Sequence, residues 1–291
     1  MADPQLLPGL VIAAFGKRYD VELADGRQLS CVTRGKKSDL SCGDRVEIKL
    51  TSSDEGVVER MLPRSSLLYR SNAYRSKLLA ANVTQVVIVL AAVPSFYEEL
   101  LNRCLVAAEA AGIRALILLN KQDLPESEAA LQQLQLYQAL GYPVLPLSAH
   151  RDASPLRPWL EDQTSVLVGQ SGMGKSTLIN ALLPEAKSRT QEISDVLDSG
   201  KHTTTAARLY HLDASSHLID SPGLQEFGLN HLSKDQLEMA FIEFRPYLGK
   251  CRFNNCRHLK EPDCAVLNAV EAGKISPIRL QSYQKLLGEI S

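Results

Sequence analysis

Val166-Leu167-Val168-Gly169-Gln170-Ser171-Gly172-Met173-Gly174-Lys175-Ser176-Thr177 decides the fold. Its centre, Gly169 to Ser176, satisfies G-x-x-x-x-G-K-[ST]. Ser165–Val168 reads as a strand before the loop and Lys175–Leu183 as a helix after it. That strand–loop–helix setting separates the motif from an ordinary glycine-rich turn. Glycines let the backbone N–H groups of Gly169, Gln170, Ser171, Gly172, Met173 and Gly174 turn inward around a phosphate with no Cβ in the way. The helix start adds a partial positive charge. Lys175 can reach β- and γ-phosphates, the Ser176 hydroxyl can ligate Mg²⁺, and Thr177 extends the same phosphate-facing turn.

Working outward, Asn120-Lys121-Gln122-Asp123 follows the predicted strand Ile113–Leu119. The Asp123 carboxylate has two acceptor oxygens, which match the N1–H and 2-amino group of guanine; adenine offers no such pair. Asn120 can bond the base edge, and Lys121 can lie across the nucleotide. Ser148-Ala149-His150 ends another strand and can present backbone to the guanine carbonyl. Downstream, Asp220-Ser221-Pro222-Gly223 closes the strand His217–Ile219. Asp220 suits a Mg²⁺ water, and the Gly223 N–H suits the γ-phosphate. Lys201-His202-Thr203-Thr204-Thr205 lies between the two; Thr204 is the expected second hydroxyl ligand of Mg²⁺, unless these threonines merely open a strand. The set predicts a protein that binds GTP and GDP and hydrolyses GTP.

The order is rotated. N-K-x-D usually follows the phosphate loop, yet here Asn120 precedes Gly169 by 49 residues. A circular permutation relocates the chain ends while keeping the sheet. Asp220 then leads directly into a C-terminal module. Leu224 follows Gly223, where many GTPases carry a water-orienting glutamine, and leucine has no donor or acceptor. Slow intrinsic turnover is expected, with His202 or a bound partner positioning the water.

Strands alternate with helices from 73 to 229, which predicts a mostly parallel sheet covered on both faces. Over 1–72, five short strands separated by Gly-containing turns predict an OB-type β-barrel, an architecture that often binds single-stranded RNA and also serves protein contacts. Twelve Lys and Arg against ten Asp and Glu over 1–75 leave it only slightly basic, with Arg34, Lys36 and Lys37 in one loop and Arg64, Arg70, Arg75 and Lys77 near Tyr69 and Tyr74. Over 230–291 the chain turns mostly helical around Cys251-x₄-Cys256-x-His258-x₅-Cys264, a ligand set for one structural Zn²⁺. Arg245, Lys250, Arg252, Arg257 and Lys260 surround these ligands, and no acid occurs from Pro246 to Lys260. Such cations suit RNA, and equally suit solubility and thiolate charge balance.

Composition limits the alternatives. A net charge of −1 excludes an RNA binder that works through overall basicity; contacts must use local patches. The remaining cysteines, Cys31, Cys42 and Cys104, are scattered, unlike a secreted disulfide framework. The first residues lack a basic start and an apolar core, and the longest apolar run, Val83–Val93, is too short to cross a bilayer. A cytoplasmic monomer without a membrane partner is expected.

Together these residues resemble the bacterial RsgA (YjeQ) family of circularly permuted GTPases. The run Asp220-Ser221-Pro222-Gly223-Leu224-Gln225-Glu226-Phe227-Gly228-Leu229 is similar to that family's switch, as is Lys201-His202-Thr203-Thr204-Thr205-Ala206-Ala207-Arg208-Leu209. The resemblance covers nearly the whole chain. It implies a permuted P-loop GTPase domain between an OB-type barrel and a zinc module, both gripping ribosomal RNA. It also implies action late in small-subunit assembly, stimulated by that subunit. Two positions depart from the pattern: Gln225 stands where a basic residue is expected, and the segment before the barrel is short and not basic. The competing reading is a GTP-switched RNA chaperone in which hydrolysis only resets binding.

Overall fold

The computed structural model describes residues 6–34, 40–72, 75–183, 207–221, 227 and 229–290. All five expected N-terminal strands form: β1 (Leu7–Phe15), β2 (Arg18–Leu23), β3 (Gln28–Thr33), β4 (Arg45–Leu50) and β5 (Glu55–Met61). Alternation sets their inner face, with Tyr19, Val21 and Leu23 on β2 and Val46 and Ile48 on β4 buried. β1 pairs with both β2 and β4, β2 with β3, β3 with β5 in parallel, and β5 with β4. The ring closes as β1-β2-β3-β5-β4, so among the described residues no barrel strand is left as an open edge.

A hairpin follows that the sequence did not announce: β6 (Leu67–Asn72) and β7 (Arg75–Ala81). The boundary drawn at 72/73 falls between its two strands. No Asn-Gly or Asp-Gly pair marks its turn, and its apolar residues are too few for a period of two to emerge. Tertiary contacts hold it instead: Leu68, Leu79 and Ala80 enter the main core, and Ala81 N donates to Cys42 O at 2.9 Å.

The second sheet runs β10 (Val144–Pro146), β9 (Arg114–Asn120), β8 (Gln85–Ala91), β11 (Thr164–Val168), β13 (His217–Asp220) and β12 (Arg208–His211). All pairs are parallel except β12–β13. Every residue of β8 is buried, as expected for a parallel strand covered on both faces. Val86, Ile88 and Leu90 face one layer, with α1 (Glu98–Ala110) and α2 (Ser127–Ala139); Val87, Val89 and Ala91 face the other, with the short α3 (Arg157–Leu160) and α4 (Lys175–Leu182). The ends of these strands differ from the sequence expectation by one or two residues. Among the described residues, strand pairing joins the sheet to the barrel at Ala13 with Arg208.

The C-terminal residues form α5 (Lys234–Ala240), a 3₁₀ turn at Arg245–Tyr247, the cysteine knuckle, α6 (Ala265–Glu271) and α7 (Pro277–Glu289). A capping box starts α5: Ser233 Oγ accepts from Gln236 N, and Gln236 Oε1 accepts from Ser233 N. Phe241, Phe244 and Tyr283 join the same core as α1 and α2, so this module packs on one face of the sheet.

Candidate nucleotide site and metal knuckle

β8 is flanked by β9, reached through α1, and by β11, reached through α3, with these helices on opposite faces. The crevice at the carboxyl ends of β8 and β11 is therefore a topological switch point, where doubly wound sheets take their ligands. The phosphate loop leaves β11 there, Asn120–Asp123 leaves β9, Ser148-Ala149 leaves β10, and Asp220 ends β13. Four segments distant in sequence thus share one rim.

Asn120 joins them. It is 2% exposed; its Nδ2 donates to Met173 O and its Oδ1 accepts from Ala149 N, each at 2.9 Å. The carboxamide expected at the base edge pins the phosphate loop and the Ser148-Ala149 loop to N-K-x-D, with one N–H and one lone pair to spare. Gly174, at φ +92°, leaves room for this tie, since a Cβ there would collide with Asn120 Nδ2. At Gly169, φ +150°, a Cβ would collide with Val89 O. Lys121 adopts φ +61° and donates from Nζ to Val93 O at 2.7 Å.

Lys175 Nζ lies over the loop, donating to Gly169 O at 2.6 Å and Gln170 O at 2.8 Å. Burial lowers its pKa, while the charge of Asp220 acts in the opposite sense. Asp220 shows the mirror effect: burial raises its pKa, and Lys175 and the Ser221 N–H lower it. Ser176 is exposed and Thr177 half-buried at the start of α4. Asp123 is exposed, and its pKa is lowered chiefly by the Ser148 hydroxyl, with Arg151 and His150 adding smaller effects. An ionised Asp123 lines a pocket of about 300 Å³ with Ser148, Arg151 and Asp152. His202, Thr204 and Gly223 lie outside the described residues, as do Leu224 and Gln225.

The second constellation sits in the knuckle. Ligand atoms of Cys251, Cys256, His258 and Cys264 all lie within 4.8 Å of one another. Cys251 Sγ is 3.8 Å from Cys264 Sγ and 3.7 Å from His258 Nδ1, which is 3.6 Å from Cys256 Sγ and 3.2 Å from Cys264 Sγ. Tetrahedral Zn²⁺ with its usual Zn–S and Zn–N lengths spaces its ligands about 3.5–3.8 Å apart. The residues fit that ion. His258 Nε2 faces Glu238 Oε2 at 3.3 Å, leaving the Nδ1 lone pair toward the sulfurs. Ala265 N and Leu267 N point at the Sγ atoms of Cys251 and Cys264, at 3.4 and 3.5 Å. Glu238 carried no sequence signal, because it comes from α5, twenty residues before His258. Of the five cations around the knuckle, Arg245, Arg252 and Arg257 each face a carboxylate, of Glu109, Asp263 and Asp235 respectively.

A phosphate loop on a parallel sheet, with N-K-x-D feeding the same rim from an earlier segment, defines a circularly permuted P-loop protein. A family profile described as RsgA GTPase matches residues 61–230. The chain is 58% identical over 98% of its length to the small ribosomal subunit biogenesis GTPase RsgA of Nitrosospira multiformis, covering 91% of that protein. The Nitrosomonas europaea protein of the same name is 55% identical, with 97% and 91% covered. Among solved structures, YjeQ from Thermotoga maritima superposes with a TM-score of 0.75 at 28% identity, covering 98% of this chain and 99% of that one. YloQ, described as a circularly permuted GTPase, gives 0.72 at 30% identity, with 98% and 95% covered. The chain belongs to the RsgA GTPase family and is a GTP hydrolase. No described helix is long and apolar enough to cross a membrane.

Proposed function

We propose that this GTPase binds the small ribosomal subunit, hydrolyses GTP to GDP during that subunit's late maturation, and is stimulated by it. The observation that carries this reading is the 58% identity, over 98% of the chain, to a relative named for small-subunit biogenesis. Residues 1–72 are the RNA-binding barrel, 73–229 the GTPase domain, and 230–291 the zinc module that completes the grip on ribosomal RNA. Asp123 reads guanine, Ser148 and Ala149 close the base pocket, Lys121 covers the nucleotide, and Asn120 holds the loops in register. Backbone N–H groups of 169–174 and the Lys175 ammonium take the phosphates, with Thr177 beside them.

Magnesium bound with GTP supplies charge neutralisation at the phosphates; Ser176 and Thr204 are its ligands and Asp220 holds one of its waters. Gly223 senses the γ-phosphate. Leu224 gives the attacking water no hydrogen-bond partner, so His202 or a group of the subunit orients it. Cys251, Cys256, His258 and Cys264 hold one structural zinc ion. The protein acts as a cytoplasmic monomer. GTP turnover by the pure protein, alone and with excess small or large subunits, tests the proposal. Turnover that is slow alone and rises strongly with small subunits only is expected; equal turnover in all three mixtures would overturn the ribosomal role.

A further inference from the structure

Gln170 does more than lend backbone to the phosphate loop. Its Oε1 accepts the Tyr97 N–H at 2.9 Å. Tyr97 is the N-cap residue of α1, and its own side chain caps nothing. A phosphate-loop side chain therefore satisfies one of the orphan donors at the start of α1.

The same helix carries the C-terminal module. Asn102 is 1% exposed; its Nδ2 donates to Ser282 Oγ at 2.8 Å, and its Oδ1 accepts from both Tyr137 Oη and Arg279 Nη1. Arg279 is fully buried, paired with Glu243 and 4.5 Å from the Phe241 ring centre. On the same stretch of helix, Arg103 meets Glu289 at 2.7 Å and Glu99 meets Lys285. Residues 99, 102 and 103 are neighbours on a helix surface. Separating a buried, fully paired guanidinium from its partners is costly, so α1 and α7 move as one body.

We infer that α1 is a lever between the phosphate loop and the zinc module, with Gln170 the positioning residue that couples nucleotide state to the module's placement. The inference rests on the proposed seating of GTP phosphates in the loop. Phosphate draws the loop's N–H groups inward, and Gln170 lies among them. This route is separate from the switch that follows Asp220.

Hydrogen exchange on the full-length, zinc-loaded protein tests it, at GDP and non-hydrolysable GTP-analogue concentrations that saturate each variant. Wild type should show α7 amides exchanging about fivefold or more differently between the two nucleotides. Gln170→Met, which keeps length but removes the acceptor, should erase that difference. Gln170→Glu restores the acceptor and should restore it, although its charge weakens nucleotide affinity. Lys285→Ala/Glu289→Ala should reduce the response from the module's side. A response that persists in Gln170→Met overturns the lever, as does a nucleotide-loaded wild type with no response in α7. Failure of wild type to bind guanine nucleotides at all would instead remove the nucleotide reading itself.

Discussion

The nucleotide rim and the metal knuckle are both built from a handful of polar side chains, but they are assembled in opposite ways. The knuckle's four ligands fall within fourteen residues, from Cys251 to Cys264. The rim draws Asn120, Ser148, Gly169–Ser176 and Asp220 from the ends of four strands, and its geometry exists only once β9, β10, β11 and β13 lie side by side. A local site depends mainly on its own short stretch of chain. A distributed site depends on the whole sheet and on the tie that Asn120 supplies. Perturbations should therefore stay local in the knuckle and spread in the rim.

Lys175→Ala gives the largest expected effect. GTP hydrolysis should fall by about 10²-fold or more, since a preorganised charge on the developing negative phosphates is lost. Zinc content by atomic spectroscopy should not change; if the metal left together with activity, the two regions would not be separable.

Cys264→Ser tests the opposite side. One thiolate is lost, and Cys264 also opens α6 and is 1% exposed. Bound zinc should drop from one equivalent toward none, and unfolding free energy by about 3 kcal/mol or more. Affinity for GDP should change far less than stability. An unchanged metal stoichiometry would show that the ligand set is wrong.

A pair of glycine substitutions sharpens the contrast. Gly174→Ala must drive a methyl into Asn120 at φ +92°, whereas Gly249→Ala at φ +74° meets open space. Both carry left-handed strain of about 1 kcal/mol. Only Gly174→Ala should also weaken GDP binding, by about tenfold, because it displaces the residue that joins three loops. Equal affinities in the two variants would refute the role given to Asn120.

The smallest effect concerns the junction between barrel and sheet, where His211 Nε2 faces Glu22 at 2.7 Å and His211 Nδ1 lies 3.0 Å from His217 Nδ1. Burial lowers the His217 pKa, as does a charge on His211 and, more weakly, Arg45; Asp213 and Glu22 act the other way. Burial alone lowers that of His231. The unfolded chain therefore binds more protons than the folded one below the ordinary histidine value of about 6.5. Stability should be level above that pH and decline as pH falls toward the lowered folded values. Melting temperature against pH measures this, and His217→Gln should flatten the decline.

Much of this was readable in advance, for identifiable reasons. The barrel strands alternate cleanly, the phosphate loop is contiguous, and the knuckle ligands are close neighbours, so short-range pattern suffices. Hairpin β6–β7 was not readable, because its turn lacks a hairpin dipeptide and its stability comes from Leu68, Leu79 and the backbone of Cys42. Glu238 behind His258 and Gln170 at the head of α1 were equally silent, since each acts across a gap in sequence that no periodicity spans.

The sequence by itself determined the class of chemistry: residue types at fixed short spacings specify which groups can surround a phosphate, a guanine edge or a zinc ion. It also determined the rotated order, which is a property of the chain alone. Only the tertiary structure decided what each polar atom does. Asn120 joins two other loops to its own, and Gln170 caps a helix on which the cysteine-knuckle module rests. The physical reason is that a hydrogen bond is made within about 3 Å in space, and folding alone brings residues 120, 149 and 173 within that reach.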